Sequence, residues 1–182
     1  MASADVVIFH PDQHQHLLAE IARIHVHSIE EDGVCLVFLP PFHKDSDGTD
    51  PVVLKFWQEH IVEVRQDRAV IIMQLAGSRV AGVVVLRMPV TQTGSFRGEV
   101  EKLIVSPDFR RQGIATRLME ALENEAKSRG RTLLQLGTTE GYPAQQMYPK
   151  LGYIEYGRIP EHAISPTTGK RLSNIFFYKN LA

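Results

Sequence analysis

The stretch from Leu103 to Thr116 constrains the fold more than any other part of the sequence. It reads Leu-Ile-Val, then Ser-Pro-Asp-Phe, and then Arg-Arg-Gln-Gly-Ile-Ala-Thr. This pattern predicts a strand, a short turn that begins near proline, and a basic corner with one glycine that opens a helix. The first N–H groups of a helix have no partner within it, and the helix dipole adds partial positive charge there. We therefore expect this corner to bind an anion, and a diphosphate in particular.

Composition and charge narrow the class of protein before any other motif is considered. The chain has 182 residues, of which 43% are hydrophobic and 23% charged, and its formal net charge is -1. These values are typical of a soluble globular protein and provide no basic field for nucleic acid. The one cysteine, Cys35, excludes an internal disulfide. We expect a single cytoplasmic domain over residues 1–182, monomeric or homodimeric, with no nucleic-acid or membrane partner.

The order of apolar patterns predicts a mixed α/β sheet with helices on both faces. The chain reads as one strand, two helices, three strands, a helix, a strand, a helix and two strands. The first helix is expected to begin at Asp12, as its N-cap, and to end near Glu31. Gly77 is expected in the turn of a hairpin, where a positive φ is needed. Alternating strands and helices of this kind are typical of a sheet covered on both sides.

Other phosphate-binding and metal-binding motifs are missing from the sequence. No Gly-x-Gly-x-x-Gly follows an early strand, and no Gly-x-x-x-x-Gly-Lys-Ser/Thr loop occurs. The sequence has no His-Glu-x-x-His pattern, and histidines two residues apart on a helix point in different directions. We therefore expect no metal site and no dinucleotide fold.

Three motifs resemble landmarks of a known family. Val105-Ser106-Pro107 ends the predicted strand, Arg110-x-x-Gly113-x-Ala115 follows it, and Met147-Tyr148-Pro149-Lys150-Leu151-Gly152-Tyr153 comes about thirty residues later. In this order they resemble the GNAT superfamily of acetyl-coenzyme A-dependent N-acetyltransferases, and the element order matches over nearly the whole chain. Glu99-Val100-Glu101-Lys102-Leu103 and Asn174-Ile175-Phe176-Phe177-Tyr178-Lys179 are also similar to detoxifying members of the tabtoxin-resistance type.

The resemblance implies a fold and a co-substrate. The fold is a mixed, mostly antiparallel sheet of about seven strands with helices on both faces. The co-substrate is acetyl-coenzyme A, whose diphosphate would lie at the corner while its pantetheine chain runs beside the preceding strand; no metal is involved. The residues implied in cofactor binding are Leu103, Ile104, Val105, Arg110, Arg111, Gln112, Gly113, Ile114, Ala115, Thr116 and Lys150.

Two carboxylates are candidates for the base that acetylation of an amine requires. An amine is mostly protonated at neutral pH, so a base must accept a proton before the amine can attack. Glu99 and Glu101 are two residues apart on one strand and share a face, which Leu103 continues if no bulge intervenes. The resemblance implies Glu99, with Glu101 as the alternative. Two other interpretations are equally open. Ordered water could act as the base, or the two carboxylates could only pair with Arg97 or Lys102.

Tyr148 is the candidate acid. The resemblance implies that its hydroxyl protonates the thiolate that leaves coenzyme A. A tyrosine packed on the sheet, with a hydroxyl that is satisfied locally, is the structural alternative. Pro149 follows directly and disfavours helical geometry at the residue before it, so we expect a short or kinked helix here.

The functions consistent with this pattern differ in their acceptor. The first is N-acetylation of a small molecule with a primary amine, such as an amino-acid-like toxin or antimetabolite. The second is acetylation of protein N-termini or lysines. The third, from another class, is a coenzyme A-binding module without turnover.

Overall fold

The computed structural model describes residues 5–181, in which seven strands form one sheet. The strands are β1 (Val6–Ile8), β2 (Ala69–Ala76), β3 (Arg79–Arg87), β4 (Arg97–Val105), β5 (Leu133–Thr139), β6 (Ile154–Ile164) and β7 (Arg171–Asn180). The helices are α1 (Pro11–His14), α2 (Leu18–Glu30), α3 (Pro51–Arg65), α4 (Ile114–Ser128) and α5 (Pro143–Lys150). Short 3₁₀ turns lie at Gln15–Leu17, Gln92–Gly94 and Pro107–Phe109.

The sheet is mixed and mostly antiparallel, as the sequence predicts. Its strand order is β1-β2-β3-β4-β5-β7-β6. Each pair of neighbouring described strands is antiparallel except β4 and β5, which are parallel. A two-residue turn joins β2 to β3, and Gly77 in that turn has a φ of +64°. The hairpin of β6 and β7 forms one end of the sheet, with residues 154–164 paired to residues 171–178.

Helices cover both faces of the sheet, and each face carries its own hydrophobic cluster. Under α2 and α3 the cluster includes the fully buried Trp57, and under α4 and α5 it includes Leu118 and Phe177. Burying side chains of this size contributes about 1.5–3 kcal/mol each. At Gly82 of β3 an added Cβ would lie 2.9 Å from Cγ2 of Ile114. This close approach holds the first turn of α4 against the sheet.

The first helix differs from the prediction. It begins at Pro11 rather than after Asp12, and a 3₁₀ turn separates α1 from α2. Nδ1 of His14 accepts the backbone N–H of His10 at 2.9 Å, a local bond that competes with a continuous helix. The Asp12 carboxylate pairs instead with Arg65 at 2.6 Å. The predicted N-cap is therefore wrong, because the helix begins at Pro11, a residue suited to the first helical position, and Asp12 lies within the first turn.

A β-bulge interrupts β4. On β3 the residues Val83 and Val85 are two apart, whereas their partners Ile104 and Glu101 on β4 are three apart, so β4 contains one extra residue. Lys102 lies within the bulge and has a φ of +53°. A left-handed residue is a common feature of such bulges and bends the strand locally.

The bulge reverses the side-chain alternation along β4. Val100 packs in the cluster under α4, whereas Ile104, an even number of residues away, packs in the cluster under α2. Leu103 packs against the same cluster as Val100, so it lies on the face opposite Glu101. Leu103 was expected to continue the face of Glu101 only without a bulge, and the bulge is present, so the one extra residue exchanges the two faces of the strand.

Candidate active site

The corner between β4 and α4 leaves backbone N–H groups available at the start of the helix. Gly113 is the N-cap of α4, has a φ of +74° and provides no side-chain cap. A Cβ added to Gly113 would lie 3.1 Å from Nη1 of Arg117. Arg111 also has a positive φ, of +61°, and both Arg111 and Gln112 are exposed. Left-handed residues beside a helix N-terminus form the kind of concave N–H array that binds phosphate groups.

Two arginines are held in place around this corner. The guanidinium of Arg110 donates two hydrogen bonds to the carboxylate of Asp32, one of them at 2.9 Å. This pair joins the corner to the end of α2. The guanidinium of Arg117 donates to the carbonyl oxygen of Gln112 at 2.8 Å and to Oε1 of Gln74 at 3.1 Å. Arg117 is thus a fixed positive charge at the corner, and the motif did not identify it.

β4 and β5 are paired only where each strand begins. The paired segments are 97–99 on β4 and 133–135 on β5. Both strands then continue, to Val105 and to Thr139, without a further pairing between them in the described sheet. The facing backbone edges can therefore bond to an extended ligand, in the way that an added strand does.

Two connected cavities occupy the gap between β4 and β5. The corner groove, of about 420 Å³, is lined by residues 103–105, Arg110 and Tyr142. The central cavity, of about 380 Å³, is lined by residues 100–103 and 137–139. Leu103 and Tyr142 line both, so the groove at the anion corner leads into the central cavity.

A third cavity continues the passage away from the corner. This edge pocket, of about 260 Å³, is lined by Glu99, Glu101, Tyr156 and Phe176. It shares Glu101 with the central cavity. A ligand held at the corner and a second ligand entering from the edge pocket would therefore meet in the central cavity.

Tyr148 lies in the wall of the central cavity, close to the end of α5. The helix ends in a Schellman motif, because the N–H of Tyr153 donates to the Tyr148 carbonyl at 3.0 Å and the N–H of Gly152 donates to the Pro149 carbonyl at 3.0 Å. Gly152 has the left-handed φ, +83°, that this cap needs. The rings of Tyr148 and Tyr153 lie 5.7 Å apart, the apolar contact that accompanies such a cap. The spacing of the Tyr-Pro-Lys-Leu-Gly-Tyr motif thus fixes where the Tyr148 ring lies.

Burial controls the protonation of Tyr148. The residue is 5% exposed, and its ring also lies 5.7 Å from that of Phe177. Burial raises the pKa of Tyr148 to about 12. The hydroxyl carries its proton at neutral pH, as it would with the ordinary tyrosine pKa of about 10, and burial strengthens its hold on that proton. Pro149 lies within the last turn of α5, which is eight residues long, as expected for a short helix.

Glu101 is closer to the centre of the passage than Glu99. Glu101 lines both the central cavity and the edge pocket, whereas Glu99 lines the edge pocket. Oε2 of Glu101 accepts a hydrogen bond from Nζ of Lys102 at 3.3 Å, and its Oε1 lies 3.6 Å from Nη1 of Arg87. Pairing with Lys102 was the structural alternative for these carboxylates, and Glu101 does make that pair.

Lys102 is a site residue that the motifs did not identify. It lines the central cavity, its side chain is 15% exposed, and its Nζ lies 5.8 Å from the centre of the Phe56 ring. One signal was available in the sequence. Lys102 occupies a position where the alternation of Val100 and Ile104 predicts an apolar side chain.

The loop after α2 covers the central cavity. Residues 34–37 line this cavity, and the loop is attached to the rest of the site by contacts at both Gly33 and Cys35. The hydroxyl of Tyr142 donates to the carbonyl of Gly33, and Sγ of Cys35 donates to the carbonyl of Ile164 at 3.4 Å. These contacts connect the loop to the β5–α5 connection and to the β6–β7 hairpin. The loop over this side of the cavity is therefore held in place by two other parts of the chain.

A buried histidine supports this loop from below. His25 is fully buried, and Nε1 of Trp57 donates to its Nδ1 at 3.2 Å. Its Nε2 lies 3.4 Å from the carbonyl oxygen of Leu36. Burial lowers the pKa of His25 to about 4, so the ring is neutral at neutral pH. With Nδ1 accepting, the proton is on Nε2 and points to the loop.

The remaining predicted cofactor residues occupy different positions. Ile114 is 3% exposed and packs in the cluster under α4, so its backbone alone can face the corner. Ala115 and Thr116 are half-buried in the first turn of α4. Lys150 is exposed at the end of α5 and does not line these three cavities. Its part in cofactor binding stays a prediction.

Residues 5–181 contain neither a candidate membrane span nor a candidate metal cluster. None of the helices in that range is long and apolar enough to cross a bilayer. No group of three or more His, Cys, Asp or Glu residues within it is placed to hold a metal ion. The cytoplasmic location and the oligomeric state stay predictions.

Comparison with known proteins identifies the family. The model of the acetyltransferase (GNAT) family matches residues 32–153, which is more than half of the chain. The protein therefore belongs to the acetyltransferase (GNAT) family. Membership confirms the predicted enzyme class and the predicted fold, whereas the tabtoxin-resistance likeness has no support beyond the motifs.

Individual relatives are more distant. The chain is 30% identical to N-alpha-acetyltransferase 30 of Schizosaccharomyces pombe over 98 residues, which is 53% of this chain and 65% of that protein. The chain thus spans just under two thirds of the length of this relative. An N-acetyltransferase from Staphylococcus aureus Mu50 matches with a TM-score of 0.79 at 17% identity, over 100% of both chains. A phosphinothricin acetyltransferase from Sinorhizobium meliloti, solved in complex with AcCoA, matches with a TM-score of 0.76 at 17% identity, over 98% of this chain and 89% of that one.

Proposed function

We propose that the protein transfers the acetyl group of acetyl-coenzyme A to the primary amine of a small, amino-acid-like molecule. The observation that carries the proposal is the unpaired gap between β4 and β5. It opens at one end toward the N-terminus of α4 at Gly113, and Tyr148 lies in the wall of its central cavity. A gap of this shape suits a ligand with an anionic end and an extended, amide-bearing arm.

The residues that would hold acetyl-coenzyme A follow from this geometry. The backbone N–H groups of residues 111–116 would bind its diphosphate, with the charge of Arg117 beside them. The free edge of Leu103–Val105 would bond to its amide-bearing arm along the corner groove. When bound, acetyl-coenzyme A supplies an activated thioester carbonyl in the central cavity.

The side chains of the central cavity would then control the protons. Glu101 accepts a proton from the acceptor ammonium, directly or through water, and so generates the neutral amine. The amine nitrogen forms a bond to the acetyl carbon, the carbon–sulfur bond breaks with its electron pair on sulfur, and Tyr148 gives its proton to that sulfur. The second proton of the nitrogen goes through water to restore Tyr148. The net change converts an ammonium and a thioester into an amide, a thiol and one proton.

Acetylation of a protein N-terminus is the second candidate. One specific observation favours it, namely the similarity to a fission-yeast protein named as an N-alpha-acetyltransferase. The size of the cavity favours the small molecule, because the loop residues 34–37 and Tyr142 line a space of about 380 Å³. A small molecule and a protein N-terminus both present a terminal amine. The size of the cavity disfavours a polypeptide that would have to pass through the site on both sides of the reacting residue.

The test has two stages. Calorimetry should show binding of acetyl-coenzyme A at micromolar concentration, and a screen of amino acids, small amines and short peptides should then release free thiol. No binding of acetyl-coenzyme A or coenzyme A would overturn the proposal at the donor. Binding without thiol release from any amine would instead indicate the non-catalytic coenzyme A-binding module.

A further inference from the structure

We propose that Lys102 selects acceptors that carry a carboxylate or a similar anion close to the reacting amine. This inference rests on the proposed function, because it names the chemical class of the acceptor. It concerns the central cavity, whose charged lining residues in the described structure are Glu101 and Lys102.

The position of Lys102 has a cost that its structural contacts do not account for. Its side chain is 15% exposed, and its backbone has a φ of +53°, where most side chains are disfavoured. Partial burial of an ammonium also loses hydration. Asparagine or glycine would fit the same bulge with less backbone strain. A lysine at this place therefore points to a role for its charge.

Among the described residues, Glu101 is the carboxylate that pairs with Lys102. Glu101 lies 3.3 Å from Nζ of Lys102 and 3.6 Å from Nη1 of Arg87, so one carboxylate is shared by two cations. An ammonium has three N–H donors, and Glu101 uses one of them. The second contact of the Lys102 ammonium is the Phe56 ring, whose centre lies 5.8 Å from Nζ. An aromatic ring attracts a cation but accepts no conventional hydrogen bond. This leaves capacity for a second anion.

The neighbouring wall adds an unsatisfied polar group. Asn174 of β7 also lines the central cavity, and its side-chain oxygen is buried without a hydrogen-bond partner among the described residues. Buried amides are normally satisfied. Glu101 and the Asn174 amide thus offer acceptors for an ammonium, and Lys102 offers donors for an anion. This arrangement complements a molecule with an amine and a carboxylate a few bonds apart.

Two sources present this chemistry. One is a free amino-acid-like molecule, and the other is a peptide whose N-terminal residues carry an acidic side chain. The free amino-acid-like molecule fits the size of the central cavity. Pairs of acceptors that differ in one negative charge distinguish the two sources. In the first set of pairs, each amino acid is compared with its own carboxamide. In the second set, each tetrapeptide that has Asp or Glu at its second position is compared with the same peptide that has Asn or Gln there.

The decisive measurement is kcat/KM for each pair of acceptors at saturating acetyl-coenzyme A. The preference is the ratio of kcat/KM for the anionic member of a pair to kcat/KM for its neutral member. For the wild-type protein we expect this ratio to be at least about ten in one of the two sets of pairs. Lys102→Met should reduce that preference to about one, mainly through a higher KM for the anionic acceptor. Lys102→Arg, which retains the charge, should keep a preference. Lys55→Met is the matched control, since Lys55 lies on α3 with its side chain 74% exposed; its preference should equal that of the wild type.

Three outcomes would overturn the inference, and they differ from failure of the proposed function. The wild-type protein could acetylate neutral and anionic acceptors equally well. Lys102→Met could lower kcat/KM equally for both members of each pair, which is the result of a purely structural lysine. Lys102→Arg could behave like Lys102→Met, which would exclude a role of the charge. If acetyl-coenzyme A does not bind, or no amine is acetylated, the proposed function fails and this inference fails with it.

Discussion

The corner at the start of α4 is built mainly from backbone, whereas the central cavity is built from side chains that come from distant parts of the chain. The corner needs Gly113, a helix N-terminus and nearby arginines, all within one short segment. The cavity needs the β4 bulge, the end of α5, β7 and the loop after α2. A site made of backbone tolerates variation of most side chains, so a family can retain its donor. A site made of scattered side chains can change its acceptor one residue at a time.

The largest effect should come from closing the corner. Gly113→Asp places a carboxylate where the diphosphate is proposed to bind, and its Cβ would crowd Arg117 at 3.1 Å. We expect the Kd of acetyl-coenzyme A to rise by at least about a hundredfold, measured by calorimetry. Gly130→Asp is the matched control, because Gly130 has a similar φ of +68° just beyond the other end of α4. Equal affinity of Gly113→Asp and the wild type would remove the corner from the donor site.

The next effect separates chemistry from donor binding. Tyr148→Phe keeps the ring contacts with Tyr153 and Phe177 but removes the hydroxyl. We expect kcat to fall by about a hundredfold, because general acid catalysis typically contributes that much, while the Kd of acetyl-coenzyme A changes little. Tyr153→Phe preserves the same aromatic pair and does not alter the lining of the central cavity, so its kcat should stay near that of the wild type. Full activity of Tyr148→Phe would exclude the acid role.

A smaller effect should identify the base. We expect Glu101→Gln to lower kcat/KM by about tenfold to a hundredfold, and more than Glu99→Gln does, because Glu101 lines both cavities on the path of the amine. The profile of kcat/KM against pH should lose its acidic limb in the more affected variant. A larger loss in Glu99→Gln would transfer the role to Glu99. Equal, small losses in both variants would favour ordered water as the base.

The smallest effect concerns stability on the acceptor side. Burial lowers the pKa of His25 from 6.5 to about 4, so the unfolded chain takes up this proton at a higher pH than the folded protein. The contribution of the neutral His25 ring to the free energy of unfolding should therefore be fully present above about pH 6.5 and should decrease as the pH falls toward 4. We expect about 2 kcal/mol less free energy of unfolding at pH 5 than at pH 7 from this residue.

Urea unfolding at the two pH values measures the contribution of His25. His25→Gln should reduce the difference, because the glutamine side chain does not titrate. The exposed His16 gives the control, and His16→Gln should retain the wild-type difference. If His25→Gln also retains it, the buried ring does not determine the loss of stability in acid.

The amino-acid sequence determined the parts of this protein that depend on neighbours in the chain. The run from Leu103 to Thr116 predicts a strand, a turn and a helix, because alternation, a glycine and an amphipathic stripe are local properties. Gly77 and Gly152 predict two turns for the same reason. The three motifs, taken in order with the pattern of elements, indicated the family that the match of the family model then showed. The spacing of Tyr148 and Tyr153 follows from a cap whose two hydrogen-bonded ends are five positions apart in the chain.

The tertiary structure alone determined which side chains line the central cavity, the proposed acceptor side of the site. The bulge at Lys102 is not visible in the sequence, because it depends on how β4 pairs with β3, and it reverses the faces of the residues that follow. The long-range pairs Arg65–Asp12 and Arg110–Asp32 likewise depend on where separate helices and loops meet. The central cavity combines residues from β4, β5, β7, α5 and the loop after α2, and no pattern within one segment encodes such a set. The corner proposed for the donor was predictable as a strand, turn and helix because it is local, whereas the cavity proposed for the acceptor was not, because its side chains meet only after the sheet has formed.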